Sequence, residues 1–148
     1  MKKSLLPVLL VILADHGTKR LAEGLTAPVP LLPGVLGLRY ARNTGVAFSL
    51  LSDTPVLSIA LSAVLILLFP LFRKWLKPAR LASAGLSLML GGAVANLAER
   101  LAHGYVTDMV ELLFVRFPVF NLADACLTVG CALTVLGLLW PAEKKEKG

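Results

Sequence analysis

The sequence predicts an all-α membrane protein with four transmembrane helices and a small extracytoplasmic β element. Of its 148 residues, 57% are hydrophobic and 16% are charged, whereas ordinary soluble domains are roughly 45–50% apolar and 25% charged. A soluble domain of this size could not bury so many apolar side chains. The composition therefore excludes a disordered chain and a disulfide scaffold, and it indicates that lipid is the solvent around most of the chain.

Long apolar segments predict the four helices, at residues 5–25, 55–72, 81–101 and 122–140. Each is close to the ~20 residues that cross ~30 Å of hydrocarbon. The first segment also fits the start of a cleavable signal peptide, because Lys2 and Lys3 precede it. A retained helix is favoured, since no small-residue cleavage site follows Ala14 and since Asp15 and Lys19 form an i, i+4 pair of opposite charge.

The distribution of Lys and Arg predicts the orientation in the membrane. Basic residues concentrate before helix 1, between helices 2 and 3 and after helix 4. The other side holds only Arg39, Arg42 and Arg116. Since the basic side is cytoplasmic, we expect both termini inside, a single integral-membrane domain at 1–142 and a cytoplasmic tail at 143–148. The net charge of +6 forms no continuous stripe, so no nucleic-acid partner is expected.

The two segments outside the membrane predict the β element. Residues 29–50 contain partial alternation of apolar and polar side chains around a turn at residues 43–45, and residues 105–120 contain a second extended stretch that ends near Pro118. We expect these segments to rest on the outer membrane surface.

Polar residues collect at the outer ends of helices 3 and 4. If Asn121 caps helix 4, Asp124 lies in its first turn, and a chain that folds back at Pro118 could bring Asp108 to meet it. Two carboxyls in one site cannot both ionise easily, so one holds a proton while the other activates water for attack on a peptide carbonyl. The helix N-terminus favours an ionised Asp124, which leaves Asp108 as the protonated partner. Taken singly, Asp124 also fits a helix-stabilising residue and Asp108 a solvated loop acid.

The residue patterns that metal-dependent or serine-based catalysis requires are not found in this sequence. The two histidines, His16 and His103, show no spacing typical of metal ligands, and Ser49 and Ser52 have no defensible Ser/His/Asp arrangement. We therefore expect neither a metal nor another cofactor.

Five short motifs, in order along the chain, resemble those of the lipoprotein signal peptidase family, also called the type II signal peptidases. Residues 15–19 (DHGTK) resemble D-x-x-[ST]-K, and residues 43–49 (NTGVAFS) match N-x-G-x-A-F-S. The remaining motifs are GAVANLAER at 92–100, VTDMV at 106–110 and FNLAD at 120–124. Two positions depart from the family pattern: Glu99 stands where Asp is usual, and His16 where Gln is common.

The resemblance implies an aspartic endopeptidase of the bacterial cytoplasmic membrane with its first helix retained. It implies cleavage of diacylglyceryl-modified prolipoproteins just before the lipidated cysteine. Asp108 and Asp124 would be the catalytic pair, and Asp15 and Lys19 a supporting polar pair. The residues that would shape the site and hold substrate are Asn43, Gly45, Asn96, Arg100, Asn121 and Ala123. The expected partners are the precursor and membrane lipid, and the chain is expected to act as a monomer.

Two non-enzymatic functions remain as alternatives. A small transporter or channel subunit could use Asp15, Lys19, Arg100 and Asp124 as a polar path, but such a path requires polar residues at several depths. A binding module that captures lipidated signal peptides needs the same substrate-binding groove as the peptidase, but it does not need both Asp108 and Asp124.

Overall fold

The computed structural model describes residues 2–45, 55–75 and 80–140. The elements follow the order α1 (Lys2–Glu23), β1 (Val29–Leu32), β2 (Leu36–Asn43), α2 (Pro55–Trp75), α3 (Arg80–His103), β3 (Val106–Leu112) and α4 (Leu122–Leu139). The predicted combination of a mostly helical chain with a small sheet is confirmed. The predicted strand beyond residue 45 and the tail at 143–148 lie outside the described residues.

Among the described residues, α3 and α4 are long and apolar enough to cross a membrane. The expected count of four spans therefore stays a prediction. Large apolar side chains are nevertheless exposed on α1, α2 and α4, as at Leu13, Leu67 and Leu139. Extensive exposed apolar surface of this kind marks contact with a membrane or another apolar partner.

Helix α3 lies at the centre and packs against α1, α2 and α4. Glycines set the closest approach, between α3 and α4. A Cβ added at Gly130 would lie 2.6 Å from the carbonyl oxygen of Gly85, and one added at Gly92 would lie 2.5 Å from that of Ala123. Backbones can come this close only where a side chain is missing, as is typical of helix packing in membranes.

The sheet is antiparallel with the order β1-β2-β3, and Gly34, at φ 73°, lies in the turn between β1 and β2. Ala41 of β2 pairs with Asp108 of β3. After β3 the chain folds back, because Phe120 hydrogen-bonds Val110 through both its N–H (3.0 Å) and its carbonyl (2.8 Å). The second predicted β segment is thus a strand at Val106–Leu112 with a return to Phe120, rather than one extended stretch to residue 120.

Candidate active site

One asparagine connects the two aspartates that the sequence singles out. The Nδ2 group of Asn121 donates to Oδ1 of Asp108 at 2.7 Å, while its Oδ1 accepts from the backbone N–H of Asp124 at 2.8 Å. The carboxylate of Asp124 in turn accepts from the Asn121 backbone N–H at 3.3 Å, which completes a capping box. The predicted cap on α4 and the return of the chain toward Asp108 are both confirmed.

Asp108 lies on β3 and is 2% exposed. Its second oxygen, Oδ2, accepts from Nδ2 of Asn43 at 2.9 Å. Burial raises the pKa of Asp108 from its ordinary 3.8 to about 6, and the charge of Asp124 adds to the rise, while the hydrogen bonds from Asn43 and Asn121 oppose it. A pKa raised toward neutral pH suits a carboxyl that gives up or takes a proton in catalysis.

Asp124 is held from α3. Nδ2 of Asn96 donates to Oδ1 of Asp124 at 2.8 Å, and Oδ1 of Asn96 accepts from Nζ of Lys19 at 2.9 Å. The same oxygen accepts from Nδ2 of Asn121 at 3.2 Å. Because Asp124 also lies in the first turn of α4, the N-terminal end of the helix favours its ionised form.

Lys19 is a buried cation, 4% exposed, between two carboxylates. Its Nζ lies 2.7 Å from Oδ2 of Asp15 and 2.7 Å from Oε2 of Glu99. The other oxygen of Asp15 accepts from the backbone N–H of Ala123 at 2.8 Å, so a side chain of α1 holds the first turn of α4. A buried charge is costly unless it is paired and hydrogen-bonded, and these contacts meet that requirement for Lys19.

The chain that leaves β2 is fixed at the edge of the same network. Oδ1 of Asn43 accepts from the backbone N–H of Gly45 at 3.0 Å, and the Gly45 carbonyl accepts from Nη2 of Arg100 at 3.0 Å. Every site residue predicted from the sequence therefore belongs to one connected set of hydrogen bonds and ion pairs, which we call the dyad network. Its members are Asp15, Lys19, Asn43, Gly45, Asn96, Arg100, Asp108, Asn121, Ala123 and Asp124.

A cavity of about 300 Å³ opens beside Asp108. It is lined by β2 and the chain after it (residues 39 and 41–45) and by the returning chain at Phe117–Val119. The sequence did not single out residues 117–119 as site residues, although Pro118 signalled the return. A larger cavity, about 650 Å³, is lined by residues 111–118 and contacts neither aspartate, so chemistry rather than size identifies the site.

Within the three described ranges, no group of three or more His, Cys, Asp or Glu side chains could hold a metal ion. The polar groups around the aspartates include amides, backbone N–H groups and the side chains of Lys19 and Arg100. Paired carboxyls in such surroundings can exchange protons with a bound water and with a carbonyl oxygen.

Comparison with known proteins identifies the family. Residues 7–140 match the family model described as signal peptidase (SPase) II. A lipoprotein signal peptidase of Lactobacillus gasseri is 36% identical over 149 residues, which cover 92% of this chain and 91% of that protein. One from Escherichia fergusonii is 37% identical over 151 residues, covering 95% and 91%. A bacterial membrane enzyme solved by the in meso method at 2.3 Å resolution superimposes with a TM-score of 0.84 at 25% identity, covering 100% of this chain and 94% of that one. The chain belongs to the signal peptidase II family.

Proposed function

We propose that this protein removes the signal peptide from diacylglyceryl-modified prolipoproteins and that Asp108 and Asp124 carry out the hydrolysis together. Family membership supports the peptidase activity. The observation that carries the catalytic assignment is the side chain of Asn121, which contacts the Asp108 carboxylate and the backbone of Asp124 at once. Asp108 also lines a cavity of about 300 Å³, which gives a substrate access to this side of the pair.

In the proposed reaction the two carboxyls have different tasks. Ionised Asp124 removes a proton from a water molecule, and the oxygen of that water attacks the carbonyl carbon of the scissile peptide bond. Protonated Asp108 donates its proton to the carbonyl oxygen and so stabilises the tetrahedral intermediate. When the intermediate collapses, the proton held by Asp124 passes to the departing amine, the C–N bond breaks and the oxygen returns its proton to Asp108.

The other members of the dyad network hold these groups in place. Asn43 and Asn121 fix both oxygens of Asp108, and Asn96 fixes Asp124. Arg100 positions Gly45 at the cavity wall, where the precursor backbone would lie. Fixing the reacting groups in advance lowers the barrier by removing the entropic cost of bringing them together.

A membrane location suits this substrate. We propose four spans, with both termini in the cytoplasm and the site at the outer face of the bacterial cytoplasmic membrane. Water and the scissile bond meet there, while the acyl chains on the cysteine stay in hydrocarbon, where each buried CH₂ contributes about 0.8 kcal/mol. The whole of residues 1–142 would form this peptidase domain, acting as a monomer without a cofactor.

The test is cleavage of a diacylglyceryl-modified precursor by the purified protein in detergent. We expect the wild type to cut just before the modified cysteine and Asp108→Asn and Asp124→Asn each to lose at least about 10³-fold in kcat, because each removes one of two groups that work as a unit. The control is Glu23→Gln, which neutralises an exposed carboxyl that pairs with Arg20 on α1. Wild-type binding without cleavage would support the binding module instead, and substantial activity in either Asn variant would exclude the paired mechanism.

A further inference from the structure

Glu99 of α3 links Lys19, a member of the dyad network, to the backbone next to Asp108. Its Oε1 accepts from the backbone N–H of Thr107 at 3.0 Å, and its Oε2 lies 2.7 Å from Nζ of Lys19. The side chain is 13% exposed, so neither contact is a solvated surface pair. Thr107 immediately precedes Asp108, so Glu99 holds the backbone of β3 at the residue next to the proposed acid.

Lys19 is linked to both aspartates by the same kind of contact. On one side Lys19 pairs with Glu99, which binds the N–H of Thr107, the residue before Asp108. On the other side Lys19 pairs with Asp15, which binds the N–H of Ala123, the residue before Asp124. A single buried cation thus anchors two carboxylates, and each carboxylate fixes the backbone just ahead of one member of the pair.

We propose that Glu99 is a positioning residue for Asp108, acting by holding the Thr107 backbone of β3 against Lys19 of α1. The inference rests on the proposed function and goes beyond it, since Glu99 contacts neither of the two aspartates in the contacts described above. Thr107 is fully buried. Without the Glu99 carboxylate its N–H would be a buried donor lacking that acceptor, and β3 would shift to relieve the cost.

The length of the side chain matters to this role. Aspartate, usual at this position in the family, is one methylene shorter, so on the present backbone its carboxylate would lie farther from Thr107 and Lys19. Glutamine keeps the length and an acceptor oxygen for Thr107, but it loses the charge that pairs with Lys19. The two substitutions therefore separate reach from charge at a single position.

The experiment compares Glu99→Gln and Glu99→Asp with wild type on the diacylglyceryl-modified precursor, with kcat expressed per folded molecule. For Glu99→Gln we expect kcat to fall about tenfold to a hundredfold with KM within about twofold, because a charge-assisted contact is lost while Glu99 itself does not line the cavity beside Asp108. For Glu99→Asp we expect partial rescue, a fall of about three- to tenfold. Glu23→Gln borders the same space between α1 and α3 and should retain wild-type kcat.

Wild-type kcat per folded Glu99→Gln molecule, even with a smaller folded fraction, would overturn the positioning role and leave Glu99 a purely structural residue. A rise in KM with kcat unchanged would overturn it as well. If Glu99→Gln does not fold, Glu99→Asp decides, and its full activity would contradict the proposal. Failure of the proposed function would look different, because the wild type itself would then leave the precursor uncut.

Discussion

Helices α3 and α4 pack in two different ways along their common length. Toward the Arg80 end of α3 the contact is backbone against backbone, where Gly85 faces Gly130 and Gly137 faces Ala82. Toward the other end the same two helices meet through polar side chains, with Asn96 donating to Asp124 at 2.8 Å. Gly92, against the Ala123 carbonyl, lies between the two regions.

The difference shows how the fold supports a polar site. Close glycine contacts fix the separation of the helices by van der Waals packing, which needs no polar groups in the membrane interior. Once that separation is set, the end of the two helices that holds Asn96 and Asp124 can bury hydrogen-bonded amides and paired charges beside a cavity. We therefore expect substitutions in the polar region to change activity and substitutions in the glycine region to change stability.

Among substitutions that leave both aspartates in place, the largest effect is expected from Asn121→Ala in the polar region. This change removes the bond to Asp108 and the cap on α4 together, so we expect kcat/KM to fall about 10²- to 10³-fold, with a stability loss of about 1 kcal/mol from the cap. Kinetics with the lipidated precursor and thermal unfolding in detergent measure the two effects. Thr134→Val, at the glycine-packed end, is the control and should retain its activity. Near-normal activity of Asn121→Ala would show that the bridging contact is dispensable.

In the glycine region, Gly130→Val tests whether a substitution lowers stability without lowering activity. Its side chain would meet the Gly85 carbonyl and the backbone N of Met89, at 2.6 and 2.9 Å from the added Cβ. We expect the free energy of unfolding to fall by at least about 3 kcal/mol, with kcat per folded molecule unchanged. Gly17→Ala is the matched control, because a Cβ there meets nothing within 4 Å and should stabilise α1 by up to about 1 kcal/mol. Equal stability of both variants would refute the packing account.

The smallest expected effect is the pH dependence that Asp108 imparts to stability. Its pKa is raised from 3.8 to about 6 in the folded protein. The folded state therefore binds the proton of Asp108 more tightly than the unfolded state does. This tighter binding adds to the free energy of unfolding; the contribution is fully present below pH 3.8 and disappears as pH rises through about 6. We expect the unfolding free energy of wild type, relative to Asp108→Asn, to fall by about 2 kcal/mol between pH 4 and pH 7. Parallel pH profiles of the two proteins would contradict this.

Much of this arrangement could be predicted from the sequence because it depends on local patterns. Apolar length gave helix bounds within a few residues, and the spacing of Asn121 and Asp124 predicted the cap. Pro118 indicated that the chain could turn back toward Asp108. Each of these signals lies within a short stretch of chain.

Contacts between segments that are distant in sequence were harder to predict. The second β segment was predicted to begin at residue 105, close to the observed start at Val106, but its end at Leu112 was not evident. That end depends on the returning chain, in which Phe120 pairs with Val110. The role of Glu99 depends on α1 and β3 approaching the same face of α3. Its sequence position showed only a departure from the family pattern. Such contacts are set by tertiary packing, which a single sequence does not reveal.

The central claim is that Asp108 and Asp124 act as one unit, and a double-mutant cycle tests it most directly. The measurement is the residual rate of precursor cleavage by Asp108→Asn, Asp124→Asn and the double variant, each above the uncatalysed background. Residues that share one water and one proton lose their joint contribution with the first substitution, so we expect the double variant to be about as slow as either single variant. Losses that multiply in the double variant would mean that the two carboxyls act independently, and they would contradict the account.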